Sequence, residues 1–249
     1  MKKTFLKYDK AILTVMVQAD TPVRVKELIN KSLPLGAEAF GMQFEKMKPE
    51  YRNTAIYREL FSHIDKPLYV TNYRLAENEG KTDDVLADEL LELADCGATL
   101  CDIMGDLFDC QPDELARDAA AIEKQKKLID ALHEKGAEVL MSSHIYTYTD
   151  AERVLEIALE HQSRGVDICK IVTGADTMEE QIENLRIINL LKEKLDIPFL
   201  FLCGGECRIL RRIGGEIGNC MTLCVYEHDE FATPVQPLFE NVREIRNNM

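Results

Sequence analysis

Eight short apolar runs alternate with amphipathic segments along the chain, and this alternation is the feature that most restricts its fold. The runs are of the length and composition expected for buried strands. Several of the segments between them open on Thr or Asp and end at Gly, which are residues that cap helices. Strand and helix in regular alternation predict parallel strands. The eight runs are residues 11–18, 37–44, 66–74, 99–105, 137–145, 166–174, 197–205 and 221–227.

The number of these units and the length of the chain favour a barrel over an open sheet. Eight strand–helix units in 249 residues match the usual size of a (β/α)8 TIM barrel. No linker or change of composition divides the chain, so residues 1–249 are predicted to form a single (β/α)8 barrel domain of the α/β class. An open doubly wound sheet would carry a glycine-rich phosphate loop after its first strand, but residues 18–23 read QADTPV. No nucleotide cofactor is predicted.

The charge of the chain indicates what kind of partner it binds. Its formal net charge is −14, with 44 acidic residues spread along the sequence, which disfavours nucleic acid and anionic membranes. The amino-terminal stretch has a basic start, only a short apolar run and no small-residue cleavage site. These observations predict a cytoplasmic protein whose partner is a small molecule, with no membrane association.

The cysteines are predicted to be reduced thiols of the core. Eight cysteines lie mostly within apolar segments of a long chain, unlike the cysteines of a small disulfide scaffold. The pairs Cys203/Cys207 and Cys220/Cys224 lack the spacing of a tight metal knuckle, and His228 is the only histidine near them. No metal site is predicted.

In a barrel the chemistry lies at the carboxyl ends of the strands. There the third run ends at Arg74, the fifth carries His144 and the sixth carries Lys170. The loop and helix after the seventh run carry Arg208, Arg211 and Arg212. Strand alternation allows His144 and Lys170 both to face the lumen.

A lysine amine among apolar walls is costly as a cation, which favours the nucleophilic amine that forms a Schiff base with a ketone. A nearby histidine could then move protons at the adjacent carbon. The alternative is that Lys170 extends to solvent and that His144 only caps a loop. Residue spacing alone leaves both interpretations open.

At these residues the sequence resembles the type I 3-dehydroquinate dehydratases, and the resemblance covers nearly the whole chain. In VLMSSH, His144 matches the catalytic histidine of that family, and in VDICKI, Lys170 matches its Schiff-base lysine. In LRRIGGEIG, Arg212 matches the arginine that binds the substrate carboxylate, and in FATPVQP, Pro234 and Gln236 match a loop that covers the substrate. The resemblance implies a hydro-lyase that needs no cofactor and forms a homodimer.

Other matches are less close. TNYRLAENEG aligns Arg74 with a substrate-binding arginine and Glu79 with the carboxylate that supports the histidine, although a difference of one residue leaves Glu77 open. Where the family usually has a glutamate and an arginine on its second strand, this chain has Gly41 and Gln43.

The loop after the eighth strand has Ala232 in place of a serine. Loss of polar contacts at three substrate-binding positions predicts altered substrate preference, and a glycine on the second strand suggests added room. The favoured function is dehydration of 3-dehydroquinate or a related 3-keto cyclohexane carboxylate through a lysine imine. The alternatives are a class I Schiff-base aldolase or lyase acting on another keto acid, and a non-catalytic ligand-binding barrel.

Overall fold

The structure is a computed structural model that describes residues 3–6 and 9–249. Strands and helices alternate along the chain in the order that the sequence predicts. Their bounds are β1 (Ile12–Val17), α1 (Pro22–Ser32), β2 (Ala39–Gln43), α2 (Thr54–Ser62), β3 (Leu68–Thr71), α3 (Asp83–Asp95), β4 (Leu100–Met104), α4 (Ala119–Glu134), β5 (Glu138–His144), α5 (Ala151–Ser163), β6 (Ile168–Gly174), α6 (Met178–Lys194), β7 (Phe199–Gly204), α7 (Leu210–Ile217), β8 (Met221–Cys224) and α8 (Phe239–Asn248).

All eight strands are parallel members of one sheet in which each strand from β1 to β6 pairs with the next and β8 pairs with β1. The circle closes differently between β7 and β8. There the Cys220 amide donates to the Phe199 carbonyl at 2.9 Å. The side chain of Asn219 accepts from the Phe201 amide at 2.8 Å and donates to the Phe201 carbonyl at 3.0 Å. The predicted (β/α)8 barrel is therefore confirmed, with a seam held in part by an amide side chain.

Two apolar layers hold the barrel together because side chains alternate across each strand. The inner layer fills the lumen with residues that include Ile12, Ala39, Leu100, Leu140, Ile168, Leu200 and Met221. The outer layer packs the other face of the strands against the helices. On β6 this alternation directs Ile168, Lys170 and Val172 into the lumen, as the sequence predicts.

The helix ends follow the cap signals of the sequence. The side chains of Thr82, Asp118 and Asp150 accept hydrogen bonds from the backbone at the starts of α3, α4 and α5. After α3 and α4, Gly97 and Gly136 adopt φ values of 108° and 83°, a region that favours glycine. Among residues 3–6 and 9–249, no helix is both long and apolar enough to cross a membrane.

Candidate active site

A cavity of about 200 Å³ opens at the carboxyl ends of the strands, and we call it the site cavity. Its walls include Lys170, His144, Tyr73, Gln43 and Arg211. A larger cavity of about 490 Å³ lies at the opposite end of the barrel, near the starts of β1 and β7, and none of these five side chains lines it. The site cavity is therefore the one that the candidate residues share.

The amine of Lys170 is buried and meets polar groups. Its Nζ donates to the hydroxyl of Tyr73 at 2.7 Å, to the hydroxyl of Tyr69 at 3.0 Å and to Asp102 Oδ2 at 3.1 Å. Apolar Ile168 flanks it one layer below in the lumen. The sequence predicts apolar walls around this amine, and the structure adds three polar partners to them.

Asp102 on β4 is the centre of this buried group. Its Oδ2 also accepts hydrogen bonds from the hydroxyls of Tyr69 and Tyr73, and its Oδ1 accepts from Ser142 Oγ at 2.6 Å. Burial, followed by the charge of Asp102, raises the pKa of both tyrosines well above the usual 10.0, so both stay protonated donors at neutral pH. Every polar atom of this group has a partner, as a buried ion pair requires.

His144 lies at the end of β5 and is held by a carboxylate. Its Nδ1 is 2.8 Å from Glu114 Oε2, and its backbone amide donates to the same oxygen at 2.7 Å. The ring lies edge-on to Tyr73, with centroids 5.1 Å apart, and stacks on Tyr146 at 5.7 Å. Within the described residues, Nε2 has no hydrogen-bond partner, which leaves it for a ligand in the site cavity.

Glu114 comes from the loop between β4 and α4, and sequence reasoning did not identify it. Its φ of 47° lies in the left-handed region, which costs a residue with a side chain about 1–2 kcal/mol. Ser143 Oγ donates to its carbonyl at 2.6 Å, and Arg164 donates to the carbonyl of nearby Ala116 at 2.9 Å. These contacts hold the loop in the strained conformation that brings the carboxylate to the histidine.

The predicted partners of the histidine lie elsewhere. Glu77 and Glu79 are exposed on a short 3-10 turn after β3. The structure gives neither of these two described residues a side-chain hydrogen bond or ion pair, and neither lines the site cavity. The carboxylate that contacts His144 is therefore Glu114, from the loop after β4, and not Glu79.

The two arginines of α7 point in different directions. Arg211 is buried, lines the site cavity and donates from Nε to the Cys203 carbonyl at 2.8 Å. Burial lowers the pKa of Arg211 to about 10. Arg212, which the sequence comparison assigns to the substrate carboxylate, is exposed on the other side of the helix, beside Asn241 and Glu244. Of these two arginines, Arg211 and not Arg212 therefore lines the site cavity.

Arg74 is also turned away from the site cavity. It binds Asp83 through Nε at 2.6 Å and Asp106 through Nη1 at 2.7 Å. Burial works against its charge, but these hydrogen bonds raise the pKa of Arg74 above its usual value. Tyr69 and Tyr73 lie on the lumen side of the chain around β3, and Arg74 falls on the opposite side. In this arrangement Asp83 and Asp106 bind the Arg74 guanidinium, and Arg74 does not line the site cavity.

Among the remaining predicted positions, Gln43 and Gln236 line the site cavity. Gln43 accepts a hydrogen bond from Gln18 Nε2 at 2.5 Å, and Gln18 Nε2 also donates to the hydroxyl of Thr233 at 2.8 Å. Ala232 does not line the cavity, but its neighbour Thr233 does and supplies a hydroxyl. Gln236 lines it too, and its Oε1 is buried without a hydrogen-bond partner. These amides and this hydroxyl can bind ligand oxygens.

Gly41 does not leave the room that the sequence suggests. A Cβ at this position would lie 2.2 Å from Met16 Sδ and 3.0 Å from Tyr69 Cδ1. The methionine side chain therefore fills the volume that a larger residue on β2 would take.

Lys46, which the sequence analysis missed, also lines the site cavity and donates to the Phe231 carbonyl at 2.5 Å. Half-burial lowers the pKa of Lys46, whereas the nearby acids Glu45 and Asp229 oppose that shift. Besides Lys170, the site cavity thus has two basic side chains, Arg211 and Lys46, that can bind an anionic ligand.

In the part of the chain that the structure describes, no group of three or more His, Cys, Asp or Glu side chains could hold a metal ion. All eight cysteines are free thiols. Burial raises the pKa of Cys203 to about 11 and of Cys220 to about 12, as expected of core thiols.

The fold and the site define a class, that of parallel (β/α)8 barrels with a buried lysine and a carboxylate-bound histidine at the carboxyl ends of the strands. The family model for Type I 3-dehydroquinase matches residues 13–249, and the chain belongs to that family.

Individual relatives agree with this assignment. A 3-dehydroquinate dehydratase of Methanosarcina acetivorans is 26% identical over 245 residues, which cover 95% of this chain and 94% of the relative. One of Alkaliphilus oremlandii is 31% identical over 135 residues, 53% of this chain and 51% of the relative, so this chain aligns with about half of that protein.

Solved structures share the fold. The type I 3-dehydroquinate dehydratase of Clostridium difficile, solved with covalently modified comenic acid, has a TM-score of 0.80 at 17% identity and covers 98% of this chain and 94% of its own. The 3-dehydroquinate dehydratase of Geobacillus kaustophilus has a TM-score of 0.81 at 16% identity, and the match covers 99% of this chain and 95% of that one.

Proposed function

We propose that this protein is a hydro-lyase that dehydrates 3-dehydroquinate, or a related 3-keto cyclohexane carboxylate, through an imine on Lys170. The observation that carries the proposal is the buried Lys170 amine beside a histidine whose Nδ1 is bound by a carboxylate, in one cavity. Family membership supports the substrate. Lys170 attacks the ketone, and His144, aligned by Glu114, removes a proton from the carbon next to the imine and helps the hydroxyl to leave.

The substrate carboxylate is assigned to Arg211, which replaces Arg212 in this role, with Lys46 as a second cation. Both line the site cavity, and guanidinium binds carboxylate through two parallel hydrogen bonds. Gln236 and Gln43 are assigned to ring hydroxyls, since the Oε1 of Gln236 lacks a partner.

The test is borohydride reduction in the presence of 3-dehydroquinate, followed by mass spectrometry of the peptides and by ultraviolet detection of an enone product. An adduct on Lys170 together with enone formation supports the proposal. An adduct on another lysine, or an adduct that persists in Lys170→Ala, would overturn it.

A second candidate function is imine chemistry on a different keto acid. Two observations favour it. Met16 fills the space beside Gly41, and Arg74 is bound by Asp83 and Asp106 instead of facing the site cavity. Adduct formation with other keto acids, without an enone from 3-dehydroquinate, would select this function.

We also propose that the protein works as a cytoplasmic homodimer. The family resemblance supports the dimer, and eight free thiols suit a reducing compartment. Sedimentation equilibrium measures the oligomeric state, and a monomer at micromolar concentration would exclude the homodimer.

A further inference from the structure

The three hydrogen-bond donors of the Lys170 ammonium are all directed at groups of the protein. They are used by Tyr73, Tyr69 and Asp102. An ammonium has no lone pair, so it must lose a proton before it can attack a ketone. In the described residues, His144 makes no hydrogen bond to Lys170, and Asp102 is the only carboxylate bonded to the amine. Among the protein groups bonded to the amine, Asp102 is therefore the base that can take this proton, directly or through a phenol.

We propose that Tyr73 is a further catalytic residue, which carries protons between Lys170 Nζ and Asp102 while the imine forms and while it is hydrolysed. The proposal rests on the imine chemistry proposed above. Tyr73 then handles the proton transfers of imine formation and hydrolysis, and His144 acts only at the substrate carbon and at the leaving hydroxyl.

The geometry of the Tyr73 hydroxyl suits a proton carrier. Its oxygen accepts from Lys170 at 2.7 Å and its proton is donated to Asp102 Oδ2, so both hydrogen bonds already exist. The phenol can accept one proton as it passes on its own, and it stays neutral throughout. This agrees with the raised pKa of Tyr73, which disfavours a free phenolate.

The protons balance without an outside acid or base. The ammonium gives one proton to Asp102 through Tyr73, which leaves a neutral amine and a neutral carboxyl group. The amine then forms the C–N bond while the carbonyl electron pair moves to oxygen, and one proton moves from nitrogen to that oxygen. Asp102 returns its proton through Tyr73 to the hydroxyl, which leaves as water as the nitrogen pair closes the C=N bond. The products are a protonated imine beside an ionised Asp102.

Tyr73 rather than Tyr69 is assigned this role because of its position. Tyr69 lies within β3, is fully buried and packs under Gly41. Tyr73 follows the end of the strand, towards the open end of the cavity, and its ring meets His144 edge-on at 5.1 Å. Both tyrosines line the site cavity, but Tyr73 is the more exposed of the two. We therefore assign contact with the carbinolamine oxygen to Tyr73 and support of the amine to Tyr69.

The experiment compares Tyr73→Phe with Tyr69→Phe as the matched control. Each variant removes a single phenol hydroxyl that is hydrogen-bonded to both Lys170 and Asp102. Single-turnover mixing with 3-dehydroquinate, stopped with borohydride at increasing times, measures imine formation by the mass of the Lys170 peptide. Proton transfer by a positioned side chain is worth about 10²–10⁴-fold, so Tyr73→Phe is expected to slow imine formation by about 10²-fold, and Tyr69→Phe by less than about tenfold.

A second readout separates this role from a structural one. If imine formation becomes rate-limiting in Tyr73→Phe, the deuterium isotope effect on kcat from substrate labelled at the abstracted position falls towards one. His144→Ala behaves in the opposite way and forms its imine at the unaltered rate.

Equal rates of imine formation in Tyr73→Phe and the unaltered protein, or equal slowing in both phenylalanine variants, would overturn the assignment. Absence of any adduct in the unaltered protein would instead overturn the proposed function. If Tyr73→Phe does not fold, mixed H₂O/D₂O rates of imine formation in the unaltered protein decide. A curved dependence on deuterium content supports transfer of two protons at once, and a straight line overturns it.

Discussion

Arg211 and Arg212 are neighbours in sequence, yet only Arg211 faces the site cavity, because successive residues of a helix point about 100° apart. A hydrogen bond to a charged group is worth about 1.5–3 kcal/mol, or roughly 10–100-fold in binding. We expect Arg211→Ala to raise KM for 3-dehydroquinate by that factor and Arg212→Ala to leave it unchanged. Steady-state kinetics on both variants measures this, and the reverse order would return the carboxylate to Arg212.

Glu114 and Glu79 form a second pair in which one carboxylate contacts the site and the other does not. An amide at position 114 lacks the negative charge of the carboxylate, and its NH2 group can donate to Nδ1 and so select the wrong imidazole tautomer. We therefore expect Glu114→Gln to lower kcat by about 10²-fold while an imine still forms on Lys170. Glu79→Gln is the control and should keep normal turnover. Equal turnover in the two variants would show that Glu114 has no part in aligning His144.

Glu45 predicts a pH dependence of stability. It is fully buried beside Thr71, and burial raises its pKa from 4.5 to about 7. Because the native state holds this proton more tightly than the unfolded chain, the stability from Glu45 is complete below pH 4.5 and is lost as the pH rises through about 7.

We expect Glu45→Gln, which cannot ionise, to gain stability relative to the unaltered protein over that interval. Urea unfolding of both proteins at a series of pH values measures the difference. A constant difference at all pH values would contradict the raised pKa.

At the scale of single elements, strand β3 shows how far the sequence can be taken. The apolar run in the sequence predicts that this strand exists, but it does not predict that the strand ends at Thr71. Arg74 belongs to the chain after that end, where it binds Asp83 and Asp106, which lie 9 and 32 residues further along the sequence. Strand alternation predicts that Lys170 and His144 face the lumen, and both line the site cavity because β5 and β6 extend through those residues. Residues in loops, such as Glu114, have no periodicity to locate them.

The seam between β7 and β8 is a feature of two elements and one side chain. Asn219 is buried and makes two hydrogen bonds to Phe201. Leaving a buried amide and carbonyl without partners costs about 1–3 kcal/mol each. We expect Asn219→Ala to lower the free energy of unfolding by at least about 1–3 kcal/mol in urea. Asn189→Ala on the exposed face of α6 is the control and should change it little.

At the scale of the whole molecule, the barrel was predictable because eight repeats of one pattern reinforce each other. An error of two residues at a strand end does not change the number of units or their parallel order. The site depends instead on single positions, since a shift of one residue exchanges Arg211 for Arg212. The resemblance correctly identified the family, and which neighbouring residue faces the lumen required the three-dimensional structure.

Because the Asn219 side chain closes the barrel between β7 and β8, the strands of the barrel differ in how easily they open locally. Between β5 and β6 a continuous ladder must separate before an amide meets solvent, with Ser142 opposite Lys170. At the seam, rotation of one side chain frees the Phe201 amide while every ladder stays intact. In native-state hydrogen exchange, the Phe201 amide should therefore report a smaller opening free energy than the amides of β5 and β6. The barrel would then loosen first at its seam, one strand away from the lysine.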